Sequence, residues 1–358
     1  MSNGRVQGSV RIVGTGLIGT SIGLALTKLG VSVVLADASP GNVRLASDYG
    51  AGAPASENDH PQLIVVCVPP DVTASVVSLE LSHFPNAVVT DVASVKSPIL
   101  LELNKAKADL SRYVGSHPMA GREKGGAASA RADIFVARPW VIAEHPEATS
   151  EALQLIEQLA LDLEAVPIRI SPLEHDRAVA LVSHAPQLVS SLLAARLVGA
   201  TGVELAGQGL RDTVRIAASD PKLWVQILGA NAAEVLSVLK AFGADLTRVI
   251  DALEDLEKPG ALALLDQVIA SGNRGVEALP GKHGSRLPQY SSYVVMIDDR
   301  PGELARLFNE IGDAGINVED LKLEHSPGAQ IGLVEVSVLP SVGEKLVSEL
   351  TIRGWRFA

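Results

Sequence analysis

The chain has 358 residues, 47% hydrophobic and 20% charged, a balance that supports sizeable cores and excludes a disordered protein. Its 30 basic and 41 acidic side chains leave a formal charge of −11 with no run of lysine or arginine, so neither nucleic acid nor an anionic membrane surface is an expected partner. The length exceeds the ~250 to 300 residues that one core serves and predicts two or three domains.

The opening "MSNGRVQGSV" lacks the apolar stretch of a secretory signal. No apolar run approaches the ~18 residues of a membrane span, and a cytoplasmic location is the expectation. From residue 9 to about 170, continuous apolar runs alternate with helical stretches: "SVRIVG", "VSVVLAD", "LIVVCVPP", "NAVVTDVAS", "RYVGSHP", "PWVIAE" and "AVPIRI". Continuous rather than alternating runs imply strands covered on both faces, hence an α/β Rossmann domain with a doubly wound parallel sheet over residues 1–171. The lone Cys67 lies inside one of these runs and reads as a small core hydrophobe.

Residues 172–280 lose the strand signal and fill with Ala and Leu, which predicts an all-helical substrate and dimerisation domain, with more apolar surface than one bundle needs. Four glycines and prolines in "VEALPGKHGSRLPQYS" mark a linker. Residues 288–358 then read as strand "SYVVMI", helix "ELARLFNEIGDAG", strands "INVEDLKLE" and "IGLVEVSVL", helix "VGEKLVSELTI" and strand "WRFA", a βαββαβ module.

Chemistry concentrates in two places. "VRIVGTGLIGTSIGLAL" sets Gly14, Gly16 and Gly19 in G-x-G-x-x-G spacing between a strand and an apolar helix. Gly14 permits the tight turn, Gly16 the approach of a pyrophosphate to backbone N–H groups, and Gly19 close helix packing; Leu17 and Ile18 complete the cofactor candidates. The next strand ends at Asp37, whose carboxylate can accept from both ribose hydroxyls and would repel a 2′-phosphate, favouring NAD over NADP.

The second place is "GSHPMAG". In an open α/β sheet, ligands sit beyond the carboxyl ends of the strands. "TDVASVK" and "VGSHPMAG" put Ser94 and His117 there, where they could face one another across a nicotinamide. Oxidising an alcohol requires a proton acceptor that titrates near working pH, and neutral imidazole suits that task.

The strings "GTGLIGTSIGLAL", "DVASVK", "GSHPMAGREKGG", "VSHAPQ", "GLRDTVRIAASDPKLW" and "PGKHG" resemble, in order and over almost the whole chain, the prephenate and arogenate dehydrogenases of tyrosine synthesis, in the bacterial form with a C-terminal ACT domain. The resemblance implies NAD-dependent oxidative decarboxylation, with His117 as catalytic base for the substrate's 4-hydroxyl and Ser94 orienting that ring. It implies Arg215 as the fork for a substrate carboxylate, a role that suits guanidinium geometry. Asp212, three positions earlier, could steady it. Ser183 and Gln187, four apart on a helix that Pro186 should kink, would line the substrate side chain, while His184 is as readily structural. Glu123 could position polar groups of the substrate. Gln187 stands where prephenate-using members often carry histidine, and Gln208 interrupts a customary glycine run, so prephenate and arogenate both stay open as substrates. The ACT resemblance implies a homodimer and L-tyrosine as effector, held by Gly302 at a helix start and by Asn317.

Two rivals are weighed against this. A β-hydroxyacid dehydrogenase would need a lysine in the first helices after the sheet, and none lies between Lys124 and Lys222. A non-catalytic NAD and amino-acid sensor would not need the set His117, Ser94 and Arg215. The eight histidines show no metal-ligand spacing, and no metal is expected.

Overall fold

A computed structural model describes residues 4–121, 125–279, 290–325 and 331–358. The first apolar runs become β1 (Ser9–Val13), β2 (Ser32–Ala36), β3 (Ala53–Pro54), β4 (Leu63–Val66) and β5 (Val88–Asp91). They form one parallel sheet of order β3-β2-β1-β4-β5, crossed by α1 (Leu17–Lys28), α2 (Pro40–Asp48) and α3 (Pro70–His83). β1 is central, with Ile12 beside Leu35 on one flank and Val65 on the other. Along β4, Leu63 and Val65 enter one apolar cluster while Ile64 and Val66 enter another. A strand with helices on both faces needs apolar side chains at every position, and this one has them.

After α4 (Ser97–Lys105) the expected single sheet gives way. β6 (Gly115–Pro118), β7 (Pro139–Ala143) and β8 (Val166–Ile170) make a separate three-stranded sheet, with β6 antiparallel to β7 and β7 parallel to β8. Parallel neighbours require a crossover helix. α5 (Ser150–Asp162) supplies one between β7 and β8, whereas the described residues between β6 and β7 contain only a 3₁₀ turn, Ala127–Ser129. The doubly wound sheet therefore stops at β5, joined to the smaller sheet by one parallel bridge between Val89 and Tyr113.

The long helical rod that follows is α6 (Pro172–Val179), a π-helical stretch Ala180–His184, and α7 (Ala185–Ala195). Ser171 opens it with a capping box: its hydroxyl accepts from the Glu174 N–H at 3.3 Å, and the Glu174 carboxylate accepts from the Ser171 N–H at 2.9 Å. Pro186 has no N–H to donate back along the rod, and the turn before it widens rather than kinking. By length and mean hydropathy, 1.5, this rod is apolar enough to cross a membrane, yet it carries buried His175 and Asp176 packed against α4 and β7. Then come α8 (Gln208–Val214), α9 (Pro221–Ala230), α10 (Ala232–Glu254) and α11 (Ala261–Glu277). Gln208 starts α8 instead of breaking a turn.

The C-terminal module is β9 (Ser291–Asp298), α12 (Glu303–Asp313), β10 (Asp320–His325), β11 (Ile331–Val338), α13 (Pro340–Ile352) and β12 (Arg356–Phe357), an antiparallel sheet of order β10-β11-β9-β12. Its core holds Val295, Leu307, Ile311, Val334, Val336, Leu346 and Leu350. Ile316, expected inside the second strand, precedes it and packs into this core. The chain divides into two compact units, residues 1–200 with 213–242, and 201–212 with 243–358, so the helical block is shared between them.

Candidate active site

A cavity of about 1370 Å³ opens at the carboxyl ends of the strands of the parallel sheet, lined by Gly14 and Gly16 after β1, Asp37 after β2, Cys67 and Pro69 after β4, and Ser94 after β5. Its remaining wall includes His117 to Gly121, Ser183, His184, and Ser219 to Trp224. The volume exceeds the ~300 to 1,000 Å³ of a drug-sized site and suits a dinucleotide beside a small acid.

Each glycine of the turn has a distinct physical task. Gly14 is left-handed at φ 98°, and a Cβ there would stand 2.4 Å from the Cys67 carbonyl oxygen. A Cβ on Gly19 would meet the Gly14 carbonyl oxygen at 2.0 Å, so this glycine lets α1 close onto the strand turn; it does not line the cavity. A Cβ on Gly16 would meet nothing within 4 Å beyond its own chain neighbours and helix backbone. This bare backbone is the N-cap of α1, with no side-chain cap, and Leu17 and Ile18 beside it line the cavity. An uncapped helix start facing open space fits a pyrophosphate.

Asp37 accepts from the Thr15 N–H at 2.7 Å, the Thr15 hydroxyl at 3.0 Å and the Ser39 N–H at 2.8 Å. Burial raises its pKa, but these hydrogen bonds outweigh it and hold the carboxyl below its usual value. It stays anionic at neutral pH, as a group that takes ribose hydroxyls and repels phosphate must.

His117 sits on β6, which a buried ion pair fixes from below. The Lys96 ammonium pairs with Asp91 and donates to the Ser116 carbonyl at 2.7 Å. Asp91 also accepts from the Tyr113 hydroxyl at 2.7 Å and the Ala93 N–H at 2.9 Å. The imidazole is oriented by His175: His117 Nδ1 lies 2.9 Å from His175 Nε2, and His175 Nδ1 lies 2.8 Å from Asp176 Oδ1. Burial is the largest cause pulling the His117 pKa well below 6.5, followed by the unfavourable interaction of its charged form with His175, Lys96 and His184. The ring is therefore neutral in the resting site.

His184 lines the cavity beside Trp224, with ring centroids 6.0 Å apart. Asn231 donates to the Asp176 main-chain oxygen at 2.8 Å, and the same nitrogen lies 3.1 Å from His184 Nδ1. Burial first, then His175, lowers the His184 pKa to about 4.

The structure thus brings Gly14, Gly16, Leu17, Ile18, Asp37, Ser94, His117 and Ser183 to one cavity. Two expectations are corrected. The bond that fixes His117 comes from His175, not from Ser94. Gln187 is buried behind the lining rather than part of it and donates at 2.8 Å to Ser219, which lines the cavity. Arg215 opens a 3₁₀ turn, Arg215–Ala217, and is exposed outside the described lining, where Lys222 is the one lysine or arginine. Asp212 is exposed on α8 and accepts from Gln208 at 2.8 Å. Glu123 lies outside the described residues. Among those residues no cluster of His, Cys, Asp or Glu has the makings of a metal site. His175, Asp176, Asn231 and Lys222 escaped the sequence reading; the adjacent pair "HD" in the first turn of a helix after the last strand was the signal available.

A dinucleotide crevice with a neutral, half-buried imidazole at its edge defines an NAD-dependent dehydrogenase. Models of the prephenate dehydrogenase nucleotide-binding domain and of its dimerization domain match residues 22–169 and 171–267. A probable prephenate dehydrogenase of Streptomyces niveus, NovF, is 36% identical over 96% of this chain and 98% of its own. The chain belongs to the prephenate dehydrogenase family. Among solved structures, Synechocystis arogenate dehydrogenase is 26% identical with a TM-score of 0.62, covering 75% of this chain and 100% of that one. The fold is also that of Aquifex aeolicus prephenate dehydrogenase in complex with hydroxyphenyl propionate and NAD⁺, at 24% identity and a TM-score of 0.66 over 75% of this chain and 98% of that one.

The glycines separate fold from cofactor binding. Gly19→Ala should lower the melting temperature, because its Cβ would strike backbone. Gly16→Val should melt close to wild type in the apo form while weakening NAD at least ~10-fold, as isothermal titration would measure.

Proposed function

We propose that the protein catalyses the NAD-dependent oxidative decarboxylation of prephenate to 4-hydroxyphenylpyruvate, with arogenate, which would give L-tyrosine, as the second substrate to test. The observation that carries the reading is the neutral His117 ring, held on the wall of the dinucleotide crevice. NAD, when bound, accepts the hydride from ring carbon 4. His117 takes the 4-hydroxyl proton as the carbon–hydrogen pair leaves. The bond to the ring carboxylate breaks, its electrons complete the aromatic ring, CO₂ departs, and His117 returns the proton to the phenolate oxygen. Ser94 and Ser183, on the same cavity wall, would hold the ring hydroxyl and the side chain.

His117→Asn is expected to lower kcat by ~10² or more, with the NAD dissociation constant retained. The base works while neutral and its folded pKa is depressed, so in wild type the acid limb of kcat/KM should fall below pH 6.5. NADH formation with prephenate and with arogenate is the assay.

The substrate carboxylate needs a cation, and Arg215 is the family's match. Leu181, Val182 and Leu192 on the rod are 61–64% exposed, an apolar surface suited to a second copy. In a homodimer Arg215 would reach the partner's cavity. Arg215→Ala should then raise the substrate KM by ~2 to 3 kcal/mol of lost binding. Mixing inactive His117→Asn with Arg215→Ala subunits should restore activity, since one site of the hybrid is intact.

The βαββαβ order and the strand order β10-β11-β9-β12 support an ACT reading of residues 288–358, with L-tyrosine as effector. Gly302 is left-handed at the start of α12, and the Asn317 amide donates to Glu319 at 2.7 Å. L-Tyrosine should inhibit the full chain even at saturating substrate, and Asn317→Ala should weaken that inhibition at least ~10-fold.

A further inference from the structure

We propose that His175 and Asp176 are positioning residues that fix the tautomer of His117, Asp176 acting through His175, so that the nitrogen His117 turns toward the substrate is the bare one. The inference rests on the reading of His117 as base and deepens it.

The argument runs outward from the carboxylate. Asp176 accepts backbone N–H groups from Lys96 on one oxygen and Ser97 on the other, each at 2.8 Å. Burial raises its pKa, and the hydrogen bonds from His175, Ser97 and Lys96 bring it below the usual carboxylate value. An ionised carboxylate only accepts. The His175 nitrogen at 2.8 Å, Nδ1, must therefore carry its proton. A neutral imidazole has one N–H, which leaves His175 Nε2 bare. His117 Nδ1, 2.9 Å from that lone pair, must then donate. The single proton of neutral His117 is spent inward, and Nε2 is left as an acceptor.

Without this chain, nothing among the described residues selects between the two tautomers. Ser94 makes no hydrogen bond to the ring. Among the described residues, the charged or titratable groups facing His117 are Lys96 beyond β5, His175 on α6 and His184 in the π-helical stretch, with Asp91 behind Lys96 and Asp176 behind His175. Of these, His175 alone bonds a His117 nitrogen. The same arrangement serves the charged state: as His117 takes up a proton, its Nδ1–H already points at an acceptor backed by an anion, which stabilises the imidazolium. Its edge-on packing against His175, at 5.1 Å and 75°, keeps the bond in line.

The test has a spectroscopic arm and a kinetic arm on the full-length protein with NAD bound. In ¹⁵N-histidine NMR at neutral pH, with His117 assigned by its loss in His117→Asn, the expected state is protonated Nδ1 and unprotonated Nε2. His175→Phe should cut kcat ~10- to 100-fold, with substrate KM and NAD affinity within about threefold of wild type. His175→Gln, whose terminal oxygen can meet His117 Nδ1, should recover most of the loss. A wild-type His117 protonated on Nε2, or an undiminished kcat in His175→Phe, would overturn the proposal. Should His175→Phe not fold, the wild-type spectrum and the Gln variant decide. Turnover that survives His117→Asn refutes the base assignment itself, a separate outcome from either of these.

Discussion

The site depends on one ammonium group that water does not reach. Lys96, 1% exposed, lies between the Asp91 carboxylate at the end of β5 and the Ser116 carbonyl in β6. It joins the parallel sheet, which supplies the cofactor crevice, to the smaller sheet that carries His117. Removing one partner of such a buried pair costs ~3 to 5 kcal/mol, because the other is left uncompensated. Tyr113 and the Ala93 N–H saturate Asp91, and the Ser116 hydroxyl donates to the Asp91 main-chain oxygen at 2.9 Å. The stiffness suggested by proline in "GSHPMAG" is thus reinforced from beneath by electrostatics, and the positive charge of Lys96 also helps keep the imidazole unprotonated.

Chemistry and cofactor recognition are arranged along the same edge by strand order. Since β1 lies between β2 and β4, the chain leaves it for one side and later returns to the other, opening the crevice at the switch point. Gly16 and Asp37 face one part of this crevice, and Ser94, after β5, and His117, on β6, face another. The helical rod closes the far wall. Its docking to the sheet is polar at the centre: the Asp176 carboxylate takes two main-chain N–H groups from the segment that follows Ser94.

Much of this was legible in the residues. Apolar runs gave seven strands of the first two sheets near their true positions, missing only the two-residue β3, and the glycine spacing gave the tight turn at Gly14 and the close packing at Gly19. What local pattern could not supply was pairing over distance. His175 meets His117 across 58 positions, and no periodicity announces that. The antiparallel entry of β6 was equally hidden, because a strand's composition does not state its direction. The winding of the rod was hidden too: the inference that residues four apart share a face assumes 3.6 residues per turn, and the rod departs from that between Ala180 and His184.

That departure bears on how the sequence can drift. A π-helical turn behaves as one residue inserted into an otherwise regular rod. Deleting a single residue between 180 and 184 would tighten it to ordinary winding and leave every later side chain of α7 facing nearly as before, whereas the same deletion within the regular winding of α7 would swing the side chains beyond it by about 100°. In the first case His175 and Asp176, upstream, and the layer around Ser190, downstream, would both keep their places. Length changes here are therefore quantised: a gap of one residue can be absorbed between 180 and 184, but elsewhere along the rod it would rewrite the downstream face at a stroke.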